Sequence, residues 1–396
     1  MKKSILDLAY FGGSPLFSTV LPVGQIHIPD WERFKATADG IFDRRYYANH
    51  WILTQELEEK LCQLLKVRNV ITMTNATVAL SLACKALHLS KGSKVIVPSF
   101  TFAATVQALT WAGIEPLFCD VDPKTHNITA ETVLPLLDTQ GVAAVLGVHL
   151  WGNPCDIKGI SRLCQSRNIK LFFDAAHAIG CTYNNQPIGN FGHCEIFSFH
   201  ATKILSATEG GCVTTNDDDL AERFRNLRSS YGRRADVAIP INGNGRFSEM
   251  QAAFALLSLE DFPKHCEENR KKMLHYFKRL ENIPGLRFIK PQITEQQNYQ
   301  YVVFEIDESQ FGFSRDILVQ ILEAENIHAR RYFVPGMHKS PPYNKSYLKN
   351  LPCTNTLCEK VFQLPSGAKV TIDTINKICD LIIYLQKNSN TIKEKL

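Results

Sequence analysis

Four short runs in this chain combine residue types that can do chemistry. In the first, Thr74-Asn75-Ala76-Thr77-Val78-Ala79-Leu80, small and hydroxyl-bearing residues stand where a helix would open after a strand. Backbone N–H groups at such an end favour an anion, and Thr77 adds a hydroxyl; the same residues also suit an ordinary helix cap. In the second, Asp174 closes the apolar run Leu171-Phe172-Phe173, where burying an unpartnered carboxylate is costly. Ala175 and Ala176 leave room beside it for something flat, and His177 follows. Its alternatives are an Asp that caps the next loop and a hydrogen-bonded core histidine.

The third run is Phe197-Ser198-Phe199-His200-Ala201-Thr202-Lys203, followed by Glu209-Gly210-Gly211. A lysine forms an imine with an aldehyde when its ammonium pKa, normally ~10.4, is lowered by burial or by neighbouring positive charge. Taken singly, such a lysine is equally a surface residue. Gly210-Gly211 would permit a tight turn into the next strand. The fourth run, Gly243-Asn244-Gly245-Arg246-Phe247-Ser248-Glu249, offers an amide and a guanidinium suited to phosphate or carboxylate, or else a capped turn. Together the four runs supply an imine-forming lysine, a carboxylate for a ring nitrogen and phosphate binders. That is the protein-side equipment for pyridoxal 5'-phosphate (PLP).

These runs must be positioned by the elements around them. From residue 65 onward, short β-branched segments alternate with helical patterns. Strands are expected at Val70–Met73, Lys94–Val97, Glu115–Cys119, Ala143–His149 and Lys170–Phe173. Helices are expected at Ala76–Leu87, Ala103–Ala112, Ala130–Leu137 and Ile157–Ser166. The alternation predicts an α/β fold with a mostly parallel central sheet flanked by helices, and the near-continuous apolar character of the strands fits burial on both faces. Cys194–Ser198 and Cys212–Thr215 read as strands closing that sheet, Asp218–Arg228 as a helix, and Ser248 to about Leu280 as a long helix. The remainder predicts a smaller C-terminal α+β domain, with a strand-like stretch Arg287–Asp307, helices at Arg315–Glu325 and Val370–Leu385, and a frayed, solvated tail KNSNTIKEKL. The expected division is an N-terminal segment 1–45 packing on the core, a large domain 46–260 and a small domain 261–396. Open α/β sheets bind ligands at the carboxyl ends of their strands, and the four runs fall at or near such places.

The 396 residues are 45% apolar and 21% charged, which excludes disorder, a collagen-like repeat and a coiled-coil rod. The formal net charge of +5 is small for this length, and no basic block suggests a nucleic-acid partner. The twelve cysteines show no zinc-type spacing and lie mostly in apolar runs, as expected of reduced, buried thiols in a cytoplasmic protein. No segment has the length of a membrane span, and the opening MKKSILDLAY lacks the apolar core of a signal peptide.

The motifs TNATVALSLACKAL, VIVPSFTFAAT, EPLFCDVDPKTHNI, VHLWGNPCDI, FFDAAHAIG, FSFHATKILSATEGGCVTTND and GNGRFSEMQAA, in this order, resemble those of the DegT-type nucleotide-sugar aminotransferases. That family lies within the aspartate-aminotransferase fold type (fold type I) of PLP enzymes. The resemblance is strongest over roughly 45–280. It implies that Lys203 holds PLP covalently, that Asp174 pairs with the ring nitrogen, and that His177 lies beside the ring's phenolic oxygen. It further implies that Ala76, Thr77 and Ser198 bind the phosphate and that Phe102 stacks on the ring. Asn244 would reach the phosphate in a neighbouring subunit, making a homodimer with shared active sites. Ala76 stands where the family usually has Gly, and Trp51-Ile52 where it has Gly-Pro.

The resemblance also implies an L-glutamate donor and a nucleotide-linked keto-deoxy sugar acceptor, a dTDP-4-keto-6-deoxyhexose aminated at C4. The product would serve O-antigen or another glycan or glycoside. The arginines of Ala329-Arg330-Arg331-Tyr332-Phe333 suit a diphosphate or the donor carboxylate. Rival readings are amination at C3, a cyclitol aminotransferase, a PLP-dependent sugar dehydratase and a non-catalytic sensor or regulator. Lys203 argues against the dehydratase, which often has histidine there, and no added DNA-binding segment supports the regulator.

Overall fold

The computed structural model describes residues 2–24, 27–229, 239, 243–291, 296–345 and 350–396. After two 3₁₀ turns at Ile5–Asp7 and Ala9–Phe11 come the helices α1 (Trp31–Arg44) and α2 (Ile52–Leu65). An alternating unit follows: β1 (Asn69–Met73), α3 (Ala76–Ala86), β2 (Lys94–Pro98), α4 (Ala103–Trp111), β3 (Glu115–Cys119), α5 (Ala130–Val133), β4 (Val142–Val148), α6 (Ile157–Ser166) and β5 (Lys170–Asp174). A two-residue hairpin, β6 (Thr182–Tyr183) and β7 (Gln186–Pro187), leads to β8 (Glu195–Ser198), β9 (Gly211–Thr215) and α7 (Asp218–Arg228).

Seven of these strands form one sheet in the order β1-β9-β8-β5-β4-β2-β3. Six run in one direction; β9 pairs antiparallel with both β1 and β8. Successive residues of each strand enter opposite cores. Phe173, Phe197 and Val145 join one cluster, while Phe172, Ile196 and Ala144 join the other. This two-sided burial accounts for the continuous apolar runs in the sequence. Helices start where side chains can cap them: Asn75 accepts the Val78 N–H, and Asp217 accepts that of Leu220. Asp218 and Asp219 in the first turn of α7, with Arg225 and Arg228 in its last, complement the helix dipole.

Helix α8 (Glu249–Leu280) opens with a reciprocal Ser248–Gln251 capping box and runs unbroken past residue 260, with Pro263 exposed inside it. Beyond it, β10 (Leu286–Phe288), β11 (Val302–Ile306), α9 (Glu308–Phe311), α10 (Arg315–Ala324), β12 (Arg330–Arg331), α11 (Pro352–Lys360), β13 (Val361–Leu364), α12 (Ile372–Lys387) and α13 (Ser389–Lys393) complete the chain. Their strands make an antiparallel sheet in the order β10-β11-β13-β12. The N-terminal segment is tied to this unit: the Ala9 and Leu16 N–H groups donate to the buried Glu325 carboxylate, and Leu21 bridges Ile327.

Several expectations change. The helix expected over Ala130–Leu137 is cut to α5 and a 3₁₀ turn at Leu134–Leu136, because Pro135 has no N–H to continue the α pattern. The expected strand stretch Arg287–Asp307 resolves into β10 and β11, and its residues 292–295 lie outside the described residues. The C-terminal tail is not a frayed end: α13 buries Ile392 completely in the core of the C-terminal unit. All twelve cysteines are free, nine of them buried. No helix among the described residues is long and apolar enough to cross a membrane.

Candidate active site

The carboxyl ends of β1, β2, β4, β5 and β8 surround a cavity of about 410 Å³, which β12, β13 and the approach to β11 close from the other side. Ala76, Thr77, Phe102, Asp174, His177, Ser198 and Lys203 all line it. Asn244 does not: it is exposed outside the cavity, and its Oδ1 accepts from Arg246 Nε at 3.1 Å.

Lys203 sits on the turn that follows β8, its N–H donating to His200 O at 2.8 Å. Its Nζ donates to Tyr301 Oη at 2.9 Å. Burial pushes the ammonium down to about 8; Asp174 opposes the shift and Arg330 reinforces it. Near neutral pH this amine therefore has an accessible free-base form, the form that attacks an aldehyde.

Asp174 ends β5 and is 6% exposed. Its carboxylate accepts from Thr105 Oγ1 at 2.7 Å and from the Ala176 N–H at 3.0 Å. Burial nevertheless raises its pKa, against the pull of those two bonds and of Lys203. A carboxylate whose ionised form burial disfavours suits a protonated ring nitrogen, whose charge would restore that form. His177 accepts the Trp151 N–H on Nδ1 at 3.3 Å, which leaves Nε2 carrying the hydrogen of the neutral ring. Burial, with Lys203 adding to it, holds the His177 pKa well below the usual imidazole range.

At the start of α3 the Ala76 and Thr77 N–H groups have no acceptor among the described residues, and the Thr77, Ser198 and Thr202 side chains share the same cavity wall. The arrangement suits a phosphate. Gly210 and Gly211 serve this wall differently from the expected tight turn, since neither has a positive φ. A Cβ on Gly211 would fall 2.9 Å from the Ala76 nitrogen, and one on Gly210 would fall 2.7 Å from the Phe247 ring. The glycines let β9 approach the helix entrance. Phe102, at the N-cap position of α4, is 61% exposed and lines the cavity with its ring. An amine, a carboxylate whose pKa burial raises, a group of helix N–H and hydroxyl donors and an exposed ring together fit a flat, phosphorylated aldehyde.

The structure adds neighbours of these groups that the motifs did not single out. Thr105 reaches Asp174 across the sheet end, and Tyr301 and Gln300 reach Lys203 and its loop from the C-terminal unit. Trp151, in a left-handed conformation (φ 61°), lies stacked with both His177 and Phe333. Only the VHLWGNPCDI motif pointed near Trp151. Arg330, Tyr332 and Phe333 do line the cavity, as their segment suggested, and Gln363 joins them.

This sheet order, with its one reversed strand and its lysine at the strand ends, defines a transferase of the PLP-dependent fold type I. The chain is an aminotransferase that belongs to the DegT/DnrJ/EryC1/StrS aminotransferase family, which it matches over residues 32–383. It is 33% identical over 370 residues to the dTDP-4-amino-4,6-dideoxy-D-glucose transaminase of Shigella dysenteriae, covering 93% of this chain and 98% of the relative. It is 32% identical over 326 residues to the GDP-perosamine synthase of Caulobacter vibrioides, covering 82% and 87%. Among solved structures, DesI in the presence of its TDP-sugar product superposes with a TM-score of 0.95 at 37% identity, covering 99% of both chains.

Proposed function

We propose that this protein binds PLP and moves an amino group from L-glutamate to C4 of a dTDP-linked 4-keto-6-deoxyhexose, supplying an amino sugar for O-antigen or another glycan or glycoside. The observation that carries the reading is the convergence of Lys203 and Asp174 on one cavity, in a chain similar over 99% of its length to an enzyme with a TDP-sugar product.

When bound, PLP supplies an aldehyde that takes up amines and a ring that accepts electrons as a proton leaves the substrate carbon. The rest falls to the chain. Lys203 would bind the aldehyde in the resting enzyme and, once displaced by the donor amine, would take a proton from the substrate carbon and return it as an acid. Its depressed pKa suits both directions. Asp174 would hold the ring nitrogen protonated, and Thr105 would keep that carboxylate oriented. His177, locked as the Nε2–H tautomer, would donate to the phenolic oxygen. Ala76, Thr77 and Ser198 would hold the phosphate, and Phe102 would cover the ring. Asn244, exposed on its loop, would complete the phosphate site of a second subunit, so that the working form is a cytoplasmic homodimer. We also place the N-terminal segment at 1–45, the large domain at 46–260 and the small domain at 261–396, with α8 as their shared spine.

A second acceptor class is favoured by one observation: the similarity to GDP-perosamine synthase is almost as great as that to the dTDP-sugar transaminase. PLP-loaded protein incubated with glutamate and dTDP-, UDP- and GDP-linked keto sugars decides between them. Mass and NMR analysis of the products should show a 4-amino sugar from the dTDP substrate. Amination at C3, or product from the GDP substrate alone, contradicts the assignment of carbon or nucleotide. No amino sugar from any substrate would contradict the function.

A further inference from the structure

The segment Asn298–Tyr301 grips both loops that carry the reactive groups. Asn298, fully buried, donates from Nδ2 to His177 O at 2.9 Å and to Ile179 O at 3.0 Å. Gln300 donates from Nε2 to Thr202 O at 3.0 Å and accepts the Ile204 N–H on Oε1 at 3.1 Å. Thr202 and Ile204 flank Lys203, so one side-chain amide fixes the backbone on either side of the lysine. The next residue takes its side chain: Tyr301 Oη accepts from Lys203 Nζ at 2.9 Å. The Tyr301 ring is itself held, with its centroid 4.2 Å from that of His177 and 5.6 Å from that of Trp151.

We infer that Gln300 and Tyr301 are positioning residues for Lys203, the amide fixing its backbone and the phenol receiving its amine whenever that amine is not bonded to the cofactor. The inference deepens the proposed amino transfer and rests on it. In such a reaction the lysine leaves the cofactor, carries protons and returns. A long side chain released into a cavity gains rotamer freedom that must be lost again at every return. A hydrogen-bonded resting place close to the reacting atoms limits that loss.

A phenol suits the task better than a carboxylate. An ionised partner would stabilise the ammonium and raise its pKa, whereas a neutral acceptor orients the amine with less bias toward the charged form. Burial raises the Tyr301 pKa well above the usual phenol range, so the group stays neutral. The charged and titratable groups around the pair are Asp174, His177, Arg330 and Tyr332. Asp174 is engaged by Thr105 and Ala176.

The test compares wild type with Tyr301→Phe, which keeps the ring packed on His177 and Trp151, and with Gln300→Glu, which keeps size but removes the donor to Thr202 O. In the full-length protein freed of cofactor, acetylation of Lys203 by acetic anhydride is followed against pH by peptide mass spectrometry. Without the phenol the buried ammonium loses its acceptor, so the Tyr301→Phe midpoint should fall by about half a pH unit or more, giving roughly threefold faster labelling near neutrality. With PLP bound, kcat of the glutamate half-reaction should fall about tenfold in Tyr301→Phe and several-fold in Gln300→Glu, with KM for glutamate unchanged. A wild-type labelling curve in Tyr301→Phe, or a wild-type kcat in both variants, would overturn the inference. If wild type aminates no sugar while the labelling shift persists, the proposed function fails and the Lys203–Tyr301 contact stands.

Discussion

The two sheets contribute to the cavity in different ways. The seven-stranded sheet buries its parallel strands on both faces and presents Asp174, Ser198, Lys203 and the start of α3 from their carboxyl ends. The four-stranded antiparallel sheet contributes Arg330 and Gln363, with Tyr301 just before β11 and Tyr332 just after β12. Its arginines on β12 stay exposed. Asp174 and Ser198 end doubly packed strands and Lys203 stands on the turn after β8, so one rigid sheet anchors the groups proposed to react. The thinner unit adds the exposed Arg330 to the cavity lining, where we propose that it meets a charged part of a substrate. The proposed chemistry thus gathers at the ends of one sheet, with Gln300 and Tyr301 of the other unit holding its lysine.

Substitutions on the two sides should separate this division. The largest effect is expected from Asp174→Asn, which keeps the size and loses the charge. Its kcat should fall by about 10²–10³-fold with cofactor still bound, because the ring nitrogen loses its proton partner. A variant with near wild-type kcat would remove Asp174 from the chemistry. On the opposite wall, Arg330→Gln should raise KM about tenfold for one substrate and leave kcat within a few-fold. If KM for glutamate rises, the guanidinium meets the donor carboxylate; if KM for the nucleotide sugar rises, it meets the diphosphate. A collapse of kcat instead would break the proposed division.

Thr105→Val tests the support beneath Asp174. Without the hydroxyl the carboxylate pKa rises further, so the acid limb of the kcat profile should move to higher pH, with a loss of a few-fold that deepens as pH falls. A profile unchanged in shape would contradict it. The smallest effect lies outside the cavity. His27, buried and stacked at 3.9 Å on His265, is pushed down to about 4 by burial, with His265 and Lys272 adding to it. The unfolded chain binds that proton near pH 6.5, so between about 6.5 and 4 it holds more protons than the folded chain, and stability falls as pH falls. Urea unfolding should show a loss on the order of 1 kcal/mol between pH 7 and pH 5 that is reduced in His27→Phe.

The same division explains what could be read from the sequence. Lys203, Asp174 and His177 were legible because each closes or follows an apolar strand, where a polar group demands a reason. The alternating unit was legible because buried strands are continuous apolar runs. Thr105 and Tyr301 were not, because their contacts span 69 and 98 residues, and nothing local marks a Thr inside α4 or a Tyr leading into β11 as facing the site. Trp151 depends on a left-handed turn that a tryptophan seldom adopts. Gly210 and Gly211 looked like turn residues, and the neighbouring Phe197 oxygen, Ala76 nitrogen and Phe247 ring reveal that they are small for clearance. Ile392 looked solvated because a lone apolar residue among polar ones does not announce its burial.

The amine of Lys203 and the carboxylate of Asp174 face one cavity, and the proposed chemistry begins at that amine. Borohydride reduction of the PLP-loaded protein, followed by proteolysis and mass spectrometry, reads the attachment point directly. The expected result is a pyridoxyl-phosphate mass on the peptide containing Lys203, lost together with the visible absorbance of the bound cofactor in Lys203→Ala. The same mass on a different lysine of the wild-type protein, or an unaltered visible spectrum in that variant, would contradict it.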